Sequence, residues 1–179
     1  MNLYISDVHF GHKSVIEFDQ RPFADVEEMD RSIIENWNRK VRKEDHVYII
    51  GDLIYKSSRE ASWYLSRLNG HLHLILGNHD NSWLSQPDVT DFFEEIEKMQ
   101  YLKDEGNLIQ MCHYPIIEWN QYYRGAYLIY GHVHGKRDET YEFMKTRERA
   151  LNAAACINYY TPVTFAELIR NNLVFQNND

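Results

Sequence analysis

Residues 3–9, LYISDVH, place a short apolar run directly before an aspartate and a histidine. Four later apolar runs end in the same manner, at an Asp, Asn or His that often stands beside glycine. These runs, with the residues that follow them, are 47–52 (VYIIGD), 72–80 (LHLILGNHD), 108–113 (LIQMCH) and 127–134 (YLIYGHVH). Each run has the length of a buried strand. Because sites in α/β sheets assemble at the carboxyl ends of strands, we expect these polar residues to meet at one edge.

Helical patterns separate several of these runs. Asp25 and Glu28 have the spacing of a capping box, and Ser58 and Gly70 predict the start and the end of a second helix. Apolar residues recur on one face of the first helix, at Val26, Met29, Ile33, Trp37 and Val41. The alternation predicts an α/β layered fold, and the absence of repeats or linkers in the sequence predicts one domain over residues 1–179.

Two further patterns concern the second half of the chain. Residues 103–107, KDEGN, predict a hairpin turn between two strands. Thr164 and Glu167 again have capping-box spacing and predict a short helix through Ile169. A last strand is predicted at residues 173–175.

Composition places the chain among globular proteins. Of its 179 residues 44% are hydrophobic and 26% are charged, and no apolar run approaches the roughly 20 residues that span a bilayer. The first residues lack the basic and apolar segments of a signal peptide, and two cysteines do not make a disulfide framework. We therefore expect a protein of the reducing cytoplasm with no membrane partner.

The net charge is −8 with the nine histidines counted as neutral. Such a chain does not bind long polyanions through its overall charge, so we expect no long nucleic acid as a partner. A phosphate substrate would need positive charge concentrated at one place, and metal ions could supply it.

The polar residues at the strand ends are of the types that bind transition metals. The candidates are Asp7, His9, Asp52, Asn78, His113, His132 and His134. Imidazole, carboxylate and amide oxygen suit divalent ions such as Mn, Fe, Zn, Co or Ni. Seven ligands are too many for one catalytic zinc ion with an open position. They fit two divalent ions that share a carboxylate.

The ordered set of motifs resembles the calcineurin-like metallophosphoesterase superfamily, and in particular its small single-domain bacterial and phage members. The motifs are D-x-H at 7–9, G-D at 51–52, G-N-H-D at 77–80, His113 and G-H-x-H at 131–134. The likeness runs as an ordered series from residue 1 to about residue 163. It implies a four-layer α/β sandwich in which two mixed β-sheets are flanked by helices.

The resemblance also implies roles for individual residues. One ion would be held by Asp7, His9 and His134, and the other by Asn78, His113 and His132. Asp52 would bridge the two ions, and His79 would donate a proton to the leaving oxygen or stabilise the transition state. The implied reaction is hydrolysis of a phosphomonoester or phosphodiester by in-line attack of a metal-bridging hydroxide.

The sequence departs from the family pattern in two places. Tyr55 stands where many members have an aspartate that orients the catalytic histidine. That orientation could come here from Asp80, from a backbone carbonyl or from Tyr55 itself. Cys156 stands where many members have another aspartate, outside the metal set, and we expect this change to leave activity intact.

Several other residues have two readings. His12 could contact the substrate phosphate or cap a helix, and Arg21 could bind substrate or lie on the surface. Lys136 and Arg137 could contact phosphate or form a solvated charge pair. Aromatic residues that could line a substrate cleft, with ordinary packing favoured, are Trp119, Tyr122 and Tyr123. For His46, His71 and His73 a structural or surface role is expected.

A small phosphate ester is the expected substrate, with a mononucleotide or oligonucleotide left open. One alternative is a binding scaffold that keeps the fold and has lost catalysis. The other is a nuclease or nucleotide phosphatase, which the acidic chain and the absence of a basic stripe disfavour for long nucleic acids.

Overall fold

The computed structural model describes residues 1–177 and arranges eight strands in two four-stranded sheets. In the first sheet β1 (Asn2–Ile5), β2 (His46–Ile50), β3 (His71–Ile75) and β4 (Phe93–Glu97) lie in this order and run parallel. In the second sheet the order is β5 (Met99–Asp104), β6 (Asn107–Cys112), β7 (Tyr127–Tyr130) and β8 (Ala150–Asn152). The β5–β6 pair is antiparallel and the other pairs are parallel, so this second sheet is the mixed one.

Helices flank the two sheets, and the last helix packs against the edge strands β1 and β8. The helices are α1 (Ser14–Phe18), α2 (Val26–Lys40), α3 (Ala61–Leu65), α4 (Asn81–Leu84), α5 (Glu139–Lys145) and α6 (Phe165–Asn177), with 3-10 turns at Thr90–Phe92, Tyr122–Arg124 and Ala155–Ile157. One core joins α2 and α3 to the first sheet, a second fills the space between the sheets, and a third packs α5 on the second sheet. The predicted four-layer α/β sandwich is therefore confirmed, but the expectation that both sheets are mixed is wrong, because the strands of the first sheet are all parallel.

Local sequence signals explain two of these elements. The Asp25 side chain accepts a hydrogen bond from the Glu28 backbone N–H at the start of α2, and Met29, Ile33 and Trp37 are fully buried along its inner face. The β5–β6 hairpin turns at Glu105 and Gly106, whose φ angles of 48° and 82° belong to a type I′ turn. Both predictions are confirmed.

The predicted last strand is wrong, because residues 173–175 belong to α6. Leu173, Val174 and Phe175 favour a strand by composition, but the buried residues of α6 recur at helical spacing. Asn172 completes the docking of this helix, since its amide group bonds to the backbone of Asn152 in both directions. Tertiary contacts therefore override the local preference.

The expected start of the second helix is also wrong. The N-cap of α3 is Glu60, whose side chain makes no capping hydrogen bond, and the helix ends at Leu65. The Ser57 hydroxyl, one position before the predicted cap, bonds to Arg59 and Tyr64 and shapes the preceding loop. Gly70 lies beyond the helix in the turn before β3, where its φ of 100° suits glycine.

The expectations about disulfides and membrane-spanning segments can be compared with the structure. Cys112 and Cys156 are free thiols. None of the helices within residues 1–177 combines the length and the apolar character needed to cross a membrane.

Trp37 gives a test of the core between α2 and the first sheet. Its ring is fully buried and its Nε1 donates to the Asn69 backbone oxygen. Because replacement with alanine leaves a large cavity, Trp37→Ala should lower the free energy of unfolding by about 3–5 kcal/mol. Urea denaturation in the presence of chelator measures it. The control is Trp63→Ala, at a half-buried position under two arginines, and equal losses in both variants would contradict this packing.

Candidate metal centre

The chain bends sharply after each strand that carries a candidate ligand. Five of these ligands adopt the left-handed conformation, which residues other than glycine rarely adopt. Their φ angles are 53° for Asp7, 56° for His9, 56° for Asp52, 72° for His132 and 53° for His134. Backbone strain of this kind persists where surrounding contacts enforce it and concentrates at functional sites. The strand ends of both sheets therefore form one strained cluster.

Two glycines make room for the cluster. A Cβ atom on Gly77 would lie 2.3 Å from Asp52 Oδ1, and one on Gly51 would lie 2.3 Å from His113 Nδ1. Gly51 also has a φ of 79°. A side chain at either position would displace a candidate ligand, which explains why glycine precedes Asp52 and Asn78.

The first group of ligands consists of Asp7, His9 and His134. One ligand atom from each lies within 4.8 Å of the others, and all three residues are buried. Asp7 Oδ1 is 3.6 Å from His134 Nε2. Within residues 1–177, His9 Nε2 is buried and has no hydrogen-bond partner. A buried nitrogen without a partner is costly, and a cation would satisfy it.

The second group surrounds Asn78. Its Oδ1 lies 3.1 Å from His113 Nε2 and 3.0 Å from His132 Nδ1. Asp52 Oδ2 lies 3.5 Å from His113 Nε2 and 3.8 Å from His9 Nε2. The Asp52 carboxylate therefore lies between the two groups, and Asp7 and Asp52 together with His113 form another compact set.

Two of the histidines are oriented by oxygen acceptors. His113 Nδ1 is 2.9 Å from the Ile50 carbonyl oxygen, and His134 Nδ1 is 2.6 Å from Asp19 Oδ2. Because these oxygens accept, each Nδ1 donates, and each Nε2 faces the cluster. A second nitrogen bonded to a carbonyl or carboxylate is the usual arrangement of histidines that bind metals.

The electrostatics of the cluster also suit cation binding. Burial lowers the pKa of His9 to about 2, so this imidazole is neutral near pH 7. Burial would raise the pKa of Asp52, but contact with His113 and with the His79 backbone N–H lowers it to about 2. Burial would lower the pKa of His113, but Asp52 and Asp7 raise it to about 9, so a cation that binds Nε2 near pH 7 would displace a proton. Burial raises the pKa of Asp7, and a nearby cation would favour the ionised carboxylates.

A cavity of about 420 Å³ opens over this cluster. Its walls include five candidate ligands and His79, together with two lysines. It is lined by these residues from the sequence analysis: His9, His12, Asp52, Tyr55, Asn78, His79, His132, His134 and Lys136. The ligand cluster is therefore accessible to a small substrate.

Comparison with known proteins agrees with this geometry. The family model for calcineurin-like phosphoesterases matches residues 3–136. The chain belongs to the calcineurin-like phosphoesterase family. The resemblance indicated by the strand-end motifs is thereby confirmed.

Relatives of this calcineurin-like phosphoesterase come from archaea, phages and bacteria. An uncharacterized protein of Methanocaldococcus jannaschii is 32% identical over 168 residues, 93% of this chain and 88% of that protein. The Gene 66 protein of Mycobacterium phage L5 is 30% identical over 159 residues and is matched over 76% of its length. A solved structure of a protein of unknown function from Aquifex aeolicus has a TM-score of 0.74 and 25% identity, covering 95% of this chain and 98% of that one.

The ring of Tyr55 packs against the ring of His79, with centroids 3.8 Å apart. Of the three orienting groups left open by the sequence, Asp80 is used elsewhere. Its buried carboxylate accepts from the backbone N–H groups of Asp52, Leu53 and Gly77 and from Trp83 Nε1. Asp80 thus ties the loops after β2 and β3 together, and the aromatic ring of Tyr55 supports the His79 ring.

Asp19 is a residue of the candidate metal centre that sequence reasoning missed. It bonds to His134 Nδ1 at 2.6 Å and to the Arg21 guanidinium at 3.1 Å. The charges of these partners, against the effect of burial, lower the pKa of Asp19. The sequence holds no signal for it, because Asp19 and His134 are 115 positions apart and Asp19 belongs to no strand-end motif.

Of the remaining candidate residues, some line the cavity and others do not. Arg21 does not line the cavity, because its buried guanidinium donates to the backbone oxygens of Asp7 and Val8. Arg137 donates to the Phe175 backbone oxygen. His12 and Lys136 do line the cavity.

The other aromatic and histidine candidates lie away from this cavity. Trp119 is buried and donates to the Ala126 backbone oxygen. His46, at the amino end of β2, bonds to His73 in the middle of β3.

Asp19→Asn tests whether the Asp19 carboxylate orients the imidazole of His134. The amide keeps the shape but loses the charge that orients the imidazole, so Mn²⁺ affinity measured by calorimetry should fall by roughly 10–100-fold. The control is Asp138→Asn, which changes a carboxylate that caps the remote helix α5. Unchanged Mn²⁺ affinity in the Asp19 variant would show that Asp19 does not support a metal ligand.

Proposed function

We propose that this chain is a hydrolase of phosphoric esters that depends on two divalent metal ions. The observation that carries the proposal is the position of Asp52 Oδ2, which is 3.8 Å from His9 Nε2 and 3.5 Å from His113 Nε2. One carboxylate therefore contacts both groups of ligands. Such sharing is what a pair of adjacent cations requires.

The two groups of ligands would each hold one cation. One set is Asp7, His9 and His134, and the other is Asn78, His113 and His132, with Asp52 common to both. Nitrogen and oxygen donors of this kind suit Mn, Fe, Zn, Co or Ni. Bound in this way, the cations would lower the pKa of water and stabilise negative charge on phosphate oxygens.

We assign to His79 a role on the leaving group. Its side chain is 31% exposed, lines the cavity and has Nε2 3.9 Å from Asp52 Oδ2. Its backbone N–H donates to Asp52 Oδ1, which fixes the residue beside the cluster without using the imidazole. The imidazole would donate a proton to the oxygen that leaves the phosphate.

The size and charge of the site favour a small ester. The cavity of about 420 Å³ falls within the range of roughly 300–1,000 Å³ that holds small molecules. Lys56 and Lys136 line it, so positive charge lies beside the ligand cluster although the chain has a net charge of −8. We propose a phosphomonoester or phosphodiester as the substrate. The two free thiols fit the reducing cytoplasm, which we propose as the compartment.

Turnover of a chromogenic ester tests the proposal. Bis(p-nitrophenyl) phosphate and p-nitrophenyl phosphate are incubated with the protein and Mn²⁺, then with excess chelator, then with Mn²⁺ restored. We expect hydrolysis of at least one ester that stops on chelation and returns with the metal. Binding of Mn²⁺ without turnover of either ester would instead support a scaffold that has lost catalysis.

His79→Ala separates proton donation from metal binding. Because the imidazole would act on the substrate and would not be a ligand, kcat should fall about 10²–10⁴-fold while Mn²⁺ content stays unchanged. Asp52→Asn is the opposite case and should lower both metal content and turnover. His71→Ala is the matched histidine control, since His71 pairs with Glu94 on the surface at the amino end of β3. A His79→Ala protein that no longer binds Mn²⁺ would refute the assigned role.

A further inference from the structure

A second cavity adjoins the one over the ligand cluster. It has a volume of about 420 Å³ and shares Phe18 and Lys136 with the first cavity. Asp19 also lines it, and Asp19 Oδ2 is 2.6 Å from Nδ1 of the candidate ligand His134. One layer of side chains thus separates the second cavity from the ligand cluster.

The walls of the second cavity combine aromatic and polar groups. Phe18, Tyr159 and Phe175 provide rings, Val174 provides an aliphatic surface, and Gln20 and Asn171 provide amides. A site lined by apolar side chains with a few polar groups suits a flat ring that carries polar edges.

Tyr159 presents its ring in an unusual way. The residue is 69% exposed and its backbone has a φ of 54°, which only a minority of residues other than glycine adopt. An exposed aromatic side chain on a strained backbone contributes little to the stability of the fold. Contact with a ligand ring would bury the exposed Tyr159 ring.

Small residues keep the second cavity open. A Cβ atom on Gly135 would come within 3.3 Å of Cys156 Sγ, so glycine lets the thiol pack closely against the backbone. Gly135 and Cys156 both line the cavity. Burial raises the pKa of the Cys156 thiol to about 12, so this side chain adds no charge to the wall.

Phe18 and Lys136 stand at the junction of the two cavities. The Lys136 ammonium lies 4.7 Å from the centre of the Phe18 ring, which is 64% exposed and 6.3 Å from the His134 ring. A cation–π contact at such an exposed place is weak. Lys136 can therefore move to a phosphate on one side while Phe18 borders a ring on the other.

We propose that the second cavity binds the organic group of a phosphodiester, a ring of nucleoside size, while the phosphate lies at the ligand cluster. This inference rests on the proposed function, because it needs the phosphate in the first cavity. The substrate class is then a small nucleotide diester. The group in the second cavity is the one that stays on the phosphate after cleavage.

Two esters with the same leaving group test this assignment. Thymidine 5′-(p-nitrophenyl phosphate) and methyl p-nitrophenyl phosphate both release p-nitrophenol, and they differ only in the group kept on the phosphate. With Mn²⁺ present, kcat/KM should be at least about tenfold higher for the thymidine ester. Equal values for the two esters would overturn the assignment and leave the proposed function standing.

Val174→Trp fills the second cavity without touching any candidate ligand. This variant should lower kcat/KM for the thymidine ester and so remove the preference for it over the methyl ester. The matched control is Leu173→Trp, at an exposed position on the same helix that lines neither cavity, and it should keep the preference. Tyr159→Asn is a second test that keeps a residue tolerant of the left-handed backbone, and it should weaken the preference.

Binding of thymidine 5′-monophosphate, measured by calorimetry, distinguishes failure of the cavity assignment from failure of the proposed function. Its affinity should fall about tenfold in Val174→Trp and stay unchanged in Leu173→Trp. If neither ester is hydrolysed but this pattern of binding holds, the proposed function fails and the cavity assignment stands. If Val174→Trp and Tyr159→Asn, both with normal thermal unfolding, bind and discriminate like the wild type, the assignment is wrong.

Discussion

The carboxylate of Asp52 lies between two groups of imidazoles, and the rest of the site depends on its being held there. Its Oδ1 accepts from the His79 backbone N–H, and its Oδ2 faces both His9 and His113. Gly77 makes this position available, since a Cβ atom there would occupy the same space. The parallel register of β1, β2 and β3 brings the loops that carry Asp7, Asp52 and Asn78 to one edge.

This arrangement is unfavourable for the protein by itself. The buried carboxylate of Asp7, whose pKa burial raises, opposes folding, and so do the five residues in the left-handed conformation and the buried His9 Nε2, which has no hydrogen-bond partner within residues 1–177. Asp80 offsets part of this by accepting four hydrogen bonds that join the loops after β2 and β3. Cations that bind only the folded chain would stabilise it further. Metal binding and the stability of the site are therefore coupled.

The strand-end motifs could be found from sequence because each is local. An apolar run followed by Asp, Asn or His can be recognised within one stretch of the chain. Because sites in α/β sheets form at the carboxyl ends of strands, these stretches are then expected to lie together. Asp19 could not be found in this way, because its partner His134 belongs to a distant loop. Arg21 precedes a proline and looked like a surface or substrate residue, although its guanidinium is buried against the backbone of Asp7.

The misassigned residues 173–175 show the limit of local preference. They are β-branched or aromatic in part, yet the helix that contains them is fixed by Asn172 and Phe165, which lie before them in the chain. The second cavity was equally invisible from sequence. Its walls come from α1, α6 and the segments around Gly135 and Tyr159, and none of the lining residues belongs to a strand-end motif.

Crystals grown with MnCl₂ provide the most direct measurement of the central claim, through anomalous scattering at the manganese edge. The account predicts two peaks in each chain on opposite sides of the Asp52 carboxylate, one beside His9 and His134 and the other beside His113 and His132. A single peak, or peaks away from Asp52, would contradict it.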